Sequence, residues 1–258
     1  MFETIKYEVK DSIATITINR PDSGNALLPE SFVEIEDAMN EASDDKDVRV
    51  IILTGAGNFF CTGGDVKNFG QMLLDEQPIP EESVIQTGNV IRSIVKNKKP
   101  VIAAVNGTAA GAGSGLVMAA DFIIMQDSAT IHTAFIQMGF PGDTGLAYLL
   151  QQSIGVQRAK RHMMLNEPID ANLGQKYGLL YDVASSDKFD QVVDQLAEKL
   201  VKSPINTIGR QKRLFATMLY PKADETNKVE AEEMHNASKH AEHAEAVHAY
   251  MEKRAPRF

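Results

Sequence analysis

Between Val101 and Ala120 the chain runs for 20 residues without a charged side chain, and glycines stand at 107, 111 and 115 within it. Such a stretch must be buried, in lipid or in protein. Glycines four residues apart on an apolar 20-mer are the pattern by which membrane helices approach one another. Against that reading, Val101-Ile-Ala-Ala-Val105 ends at Asn106-Gly107, a turn signal, and Thr108, Gly113 and Ser114 follow. The segment therefore predicts a core strand, a turn and a helix inside a soluble protein.

The flanking chain carries similar signals. Ile5, Tyr7 and Val9 alternate, Lys10-Asp11-Ser12 turns the chain, and Ala14, Ile16 and Ile18 alternate again, which predicts a hairpin. Phe32, Ile35, Met39 and Ala42 recur at helical spacing. Ser31 with Glu34 offers a capping box for that helix, and Pro29 marks an equally good start. A strand over 48–53, a helix through Val84, Ile91, Ile94 and Val95, and the strand 101–105 complete an order β-β-α-β-α-β. Further on, the spacing predicts a helix over about 110–120, a strand over 122–125 and helices over 146–154, 156–165, 171–177 and 189–201, with breaks at Pro168 and Pro204. After Ser203 the strand signals stop and Glu, Ala, His and Lys dominate, so residues 1–203 read as the core and 204–258 as a helical appendage.

Composition excludes several roles. With 258 residues, 43% of them hydrophobic, the chain can build a sizeable core. One cysteine cannot form an internal disulfide, and no leader pattern opens the chain, which points to a reducing cytoplasm. A net charge of -9 without a basic run argues against nucleic acid as a partner.

The nucleotide signatures fail: there is no P-loop, and Gly111-Ala-Gly113-Ser-Gly115-Leu lacks the third glycine of a dinucleotide fingerprint. Four histidines fall at 235, 240, 243 and 248, and only His240 and His243 share a face, so they read as a solvated helix surface and no metal is expected. Cys61, between Phe60 and Thr62, reads as a buried filler. Two glycine-rich turns carry more information, Cys61-Thr-Gly-Gly64-Asp and Asn106-Gly-Thr-Ala-Ala-Gly-Ala112, because each follows a strand and precedes a helix. Free N–H groups at two such junctions, facing one another, could hold an oxyanion; singly, each turn reads better as serving tight packing.

Taken together, Phe60-Cys-Thr-Gly-Gly-Asp-Val66, Lys99-Pro-Val-Ile-Ala-Ala-Val-Asn-Gly107 and Ala120-Asp121 resemble the crotonase superfamily, the enoyl-CoA hydratase/isomerase fold. The likeness extends from Asn19-Arg20-Pro21 to Lys253-Arg-Ala-Pro-Arg-Phe258. It implies an α/β fold of repeated ββα units wound into a superhelical spiral, a C-terminal helical trimerisation region, and a homotrimer or dimer of trimers. It also implies an acyl-CoA thioester substrate, with coenzyme A arriving as part of the substrate and no separate cofactor.

Carried onto this chain, the resemblance assigns the N–H groups of Gly64 and Ala112 to the thioester oxygen, with Ala112 replacing a family glycine. It assigns Asn25, Ala26 and Leu27, with Thr62, Gly63, Gly64, Asp65 and Val66, to the CoA channel, while Asp121 takes a structural position. Gly115 and Phe135, which the resemblance places in the substrate site, stand where hydratases of the family carry glutamates. Neither residue exchanges protons, so hydration by two carboxylates is not expected. Asp143, in Pro141-Gly-Asp-Thr-Gly145, resembles the aspartate of single-carboxylate members of the family, including phenylacetyl-CoA epoxide isomerases and some enoyl-CoA isomerases. On its residues alone that aspartate reads as a turn residue bonded to its own backbone; the resemblance makes it a proton carrier. An aryl-CoA dehalogenase-type nucleophile and a non-catalytic CoA-binding homologue are the competing readings. The loop 69–82, with Pro78 and Pro80, is expected to shape the acyl pocket.

Overall fold

A computed structural model describes residues 2–220 and 223–258. Its elements are β1 (Ile5–Lys10), β2 (Ile13–Ile18), α1 (Pro29–Asp44), β3 (Val50–Gly55), β4 (Phe59–Cys61), α2 (Val66–Leu74), α3 (Glu81–Val95), β5 (Val101–Val105), β6 (Thr108–Ala110) and α4 (Ala112–Ala119). Then come β7 (Phe122–Gln126), β8 (Thr130–His132), α5 (Leu146–Ile154), α6 (Val156–Leu165), β9 (Ile169–Asp170), α7 (Ala171–Tyr177), β10 (Asp182–Ala184), α8 (Phe189–Val201), α9 (Ile205–Leu219), α10 (Ala223–Ser238) and α11 (Ala241–Met251).

The strands form two sheets, ordered β1-β2-β3-β5-β7-β10 and β4-β6-β8-β9. Successive strands β3/β4, β5/β6 and β7/β8 alternate between the larger and the smaller sheet, with helical segments between pairs. That repetition is the ββα spiral expected. The short strands β4, β6 and β8 escaped the sequence reading because three residues are too few to establish a period. The first residues of the expected 110–120 helix accordingly belong to β6 and its turn.

Alternation along the larger sheet explains its apolar sequence. Ile51, Leu53, Val101, Ala103, Val105, Ile123 and Met125 face a core shared with α1, α3, α4 and α5. Val50, Ile52, Ile102, Ala104 and Ile124 face the other way, onto Phe189, Val193, Leu196, Ala197 and Leu200 of α8. A strand covered on both sides has no solvent face to mark with polar residues, which is why 101–105 is uniformly apolar. Among the described residues no helix is long and apolar enough to cross a membrane.

Two local expectations are corrected, and of the two starts offered for the first helix, that at Pro29 holds. α1 starts at Pro29, and its N-terminal hydrogen bond runs from the Leu28 N–H to Ser31 Oγ at 3.1 Å. Glu34 takes no part in a box with Ser31; its carboxylate accepts the N–H groups of Glu3 at 2.6 Å and Thr4 at 2.8 Å. Residues 69–74, expected in a loop, complete α2, leaving 75–80 to connect it to α3.

The helices beyond Ser203 pack on the core: α10 lies on α3, α11 on α2, and α9 is tied in by charge. Lys212 of α9, buried, pairs with Asp121, which also accepts the Val101 N–H at 2.7 Å. Asp121→Asn keeps that acceptor but leaves a buried ammonium without its counter-charge. We expect it to cost about 3–5 kcal/mol in urea unfolding, the usual consequence of breaking a buried pair. A loss below about 1 kcal/mol would show that Lys212 finds water instead.

Candidate active site

A cleft of about 1960 Å³ runs between the N-terminal loop, the two glycine-rich turns, the segment 134–143 and the C-terminal helix. Ala26, Leu27, Thr62, Gly63, Gly64, Asp65, Val66, Ala112, Phe135 and Asp143 all line it. Two residues expected there do not. Asn25 is fully buried behind the wall, its Nδ2 donating to the carbonyls of Ala56 at 2.9 Å and Phe59 at 2.7 Å and its Oδ1 accepting the Arg20 N–H at 3.0 Å. It braces the loop that presents Ala26 and Leu27. Gly115 is likewise covered: a Cβ there would lie 2.1 Å from Thr144 Oγ1, so the Thr144 side chain occupies the space a longer residue would need.

The two turns do face one another. Leu27 pairs with Gly64 as an isolated bridge, donating its N–H to the Gly63 carbonyl at 2.7 Å and accepting that of Asp65 at 3.0 Å. Asp65 caps α2 through the Lys67 N–H and holds the Arg20 guanidinium at 2.9 Å, fixing both loops. Gly63 has φ of +92°, and a Cβ on it would stand 3.0 Å from the Ala110 carbonyl oxygen and 3.5 Å from the Ala112 nitrogen. Only glycine allows that left-handed backbone and close approach together. Thr62 donates its N–H to the Gly24 carbonyl, Asp65 to that of Leu27, Gly111 to that of His132 and Ser114 to that of Gly111, whereas the N–H groups of Gly64 and Ala112 have no acceptor among the described residues. Ala112 opens α4, where the first N–H groups point out of the helix.

Asp143 sits on a turn with unusual backbone. Gly142, Thr144 and Gly145 all have positive φ, at +126°, +56° and +62°. For a β-branched residue such as Thr144 that region is strained by about 1–3 kcal/mol and needs support from its surroundings. The Asp143 carboxyl is buried, and its Oδ1 has no hydrogen-bond partner among the described residues. It is therefore not satisfied as a turn aspartate. Burial pushes its pKa from the ordinary 3.8 up to about 7. A carboxyl so placed can hold or release a proton near neutrality.

The wall beside it is aromatic. Phe135 packs toward Gly142, and Phe140 stacks on His243 of α11 at 4.2 Å, with Phe69 edge-on to both. His243 is buried, its Nδ1–H donating to the Met138 carbonyl at 2.8 Å, so the solvated-face reading of these histidines is wrong for it. His235 similarly meets Ile79 O at 2.7 Å, whereas His240 and His248 are exposed. Among the described residues no three His, Cys, Asp or Glu side chains form a metal-binding group. Cys61 is buried and its thiol is pushed up to about 12, as suits a filler.

The α11 contribution to the cleft was missed, and so was Glu230, which lies outside the cleft and accepts the Gly145 N–H at 3.0 Å. In sequence Glu230 is one of several glutamates in an Ala/Glu-rich helix, and nothing local separates it from the exposed Glu232 and Glu233.

Comparison with known proteins agrees with this architecture. Residues 8–258 match the family model described as enoyl-CoA hydratase/isomerase. The chain is 28% identical over its whole length to trans-2-decenoyl-[acyl-carrier-protein] isomerase of Streptococcus mutans, covering 98% of that protein. It is 30% identical, again over its whole length, to 1,2-epoxyphenylacetyl-CoA isomerase of Escherichia coli (strain K12), covering 99% of it. A crystal structure of an enoyl-CoA hydratase from Mycobacterium avium subsp. paratuberculosis K-10 superposes with a TM-score of 0.91 at 26% identity, covering 100% of this chain and 99% of that one. With its double-sheet spiral, facing glycine turns and near-complete match, the chain belongs to the enoyl-CoA hydratase/isomerase family, within the crotonase superfamily.

Proposed function

We propose that this enzyme is an acyl-CoA isomerase that moves a C–C double bond from the 3 to the 2 position of a CoA thioester. The carrying observation is the buried Asp143 carboxyl, with its free Oδ1, in the same cleft as the unspent N–H groups of Gly64 and Ala112. Asp143 takes a proton from C2; the electrons move onto the thioester oxygen as a dienolate, where the two N–H groups receive the charge. The same carboxyl then returns the proton at C4, and the oxygen's charge collapses back into the carbonyl. No water is consumed, which agrees with the absence of carboxylates at 115 and 135. The aromatic wall of Phe69, Phe135 and Phe140 supplies an apolar acyl pocket.

The test is turnover of a 3-enoyl-CoA and a 2-enoyl-CoA in parallel, followed by ultraviolet absorbance and mass. Isomerisation at constant mass is expected, and addition of one water to the 2-enoyl substrate would overturn the reading. The likeness to an epoxyphenylacetyl-CoA isomerase supports a related rearrangement of a strained ring, to be assayed on an epoxide of an aryl-acetyl-CoA.

Restoring one hydratase carboxylate should not restore hydration. Gly115→Glu would drive its Cβ into Thr144, an overpacking cost of about 1–3 kcal/mol. The expected result is a lowered Tm with no hydratase activity; wild-type Tm with water addition would show that Thr144 yields freely.

A further inference from the structure

The strained turn that carries Asp143 is held from a distant part of the chain. The Gly145 N–H donates to Glu230 Oε2 at 3.0 Å, across 85 residues of sequence. Within the turn, the Thr144 hydroxyl donates to the Asp143 carbonyl at 2.6 Å and the Leu146 N–H to the same oxygen at 3.0 Å. Those two bonds shape the turn but do not anchor it to anything outside. Glu230 does: it belongs to α10, which lies on α3, and it faces a small cavity of about 40 Å³ shared with Gly145, Tyr148, Tyr220, Asn227, Arg92 and Lys96.

We infer that Glu230 is a positioning residue for Asp143, gripping the Gly145 N–H so that the left-handed turn at Thr144 and Gly145 keeps the Asp143 carboxyl aimed into the cleft. This rests on the reading of Asp143 as the proton carrier. The two carboxyls also sense each other. Burial raises Glu230 to about 8, the ionised Asp143 adds to that rise, and the Gly145 N–H opposes it. The C-terminal helices thereby contribute to the geometry of the reacting group, although Glu230 does not line the cleft.

The experiment compares full-length wild type, Glu230→Ala and Glu230→Gln on the 3-enoyl-CoA that serves as substrate, with rates normalised to folded protein. Misplacing a reacting group by about 1 Å costs up to roughly 100-fold, so Glu230→Ala should lower kcat by about 10- to 100-fold while KM moves by less than about threefold. Glu230→Gln keeps an acceptor for the Gly145 N–H and should recover most of the loss. An unchanged kcat in Glu230→Ala, or a loss that glutamine does not rescue, would overturn the inference. If the alanine variant does not fold, Glu230→Asp, which retracts the acceptor by one methylene, should show the same kcat loss, and full kcat there would be equally damaging. Asp143→Asn is assayed alongside: full activity in that variant removes the proton-carrier reading itself, whereas an inactive Asp143→Asn beside a fully active Glu230→Ala removes only the role given to Glu230.

Discussion

Asp143→Asn is expected to lower kcat for double-bond transfer by about 10²–10⁴-fold, the range that positioned acid–base groups contribute, with KM for the thioester little changed. The amide has nearly the shape of the acid, so the Phe135 and Phe140 wall and the two glycine turns should be undisturbed. What disappears is the exchangeable proton. The wild-type pH profile carries the same signature. With the carboxyl at about 7, it holds its proton below that value and cannot take one from C2, so kcat/KM should decline as pH falls below about 7. Asparagine should abolish that limb along with the rate. Wild-type turnover by the variant would end the assignment.

The raised pKa also has a consequence for stability. Between the ordinary carboxylate value of 3.8 and about 7 the folded chain keeps a proton that the unfolded chain releases. Stability from this group is therefore full below the unfolded value and is lost as pH rises through about 7. Asp143→Asn should accordingly raise Tm at pH 8 more than at pH 5, by thermal unfolding of the two proteins side by side. An equal shift at both values would mean that the carboxyl ionises without penalty where it stands. A buried, unpartnered oxygen kept at a cost to the fold is what a reactive group requires.

Ala112→Pro is expected to lower kcat by about 10²–10³-fold, the usual loss when one oxyanion donor is removed. A backbone donor cannot be deleted by ordinary side-chain replacement, but Ala112 is the first residue of α4, where proline is tolerated because its missing N–H has no intrahelical partner. The substitution thus removes the N–H that the turn leaves unspent and keeps the helix. Circular dichroism should be unchanged while turnover falls. If kcat survives in the folded variant, the thioester oxygen is held elsewhere, and Gly64 alone could not account for it.

Much of the frame was legible before any coordinates. The helices 146–154, 156–165, 171–177 and 189–201 and the strand 101–105 lie where the spacing put them, because long periodic stretches report the faces they bury. The three-residue strands were not legible, since they are stabilised by neighbours in the second sheet and have no period of their own. Glu34 illustrates a different failure. Its spacing from Ser31 fits a capping box, yet a carboxylate takes the donors that tertiary packing brings, here the N–H groups of Glu3 and Thr4.

The candidate site divides in the same way. The glycine turns stood out in sequence because backbone conformation is a local property: φ of +92° at Gly63 or +126° at Gly142 demands glycine whatever surrounds it. Asp143 was singled out by the family resemblance, its own residues reading only as a turn. Family and the missing carboxylates at 115 and 135 followed from residue identity alone. Burial and partnership, in contrast, are decided between segments far apart in the chain. Only the folded structure puts Asn25 behind the cleft wall, fills the space at Gly115 with Thr144, leaves Asp143 Oδ1 without a donor among the described residues, and brings Glu230 across 85 residues to the N–H of Gly145. A carboxylate's chemistry depends on the water and dipoles around it, and those are set by which surfaces meet, which no local pattern in a sequence records.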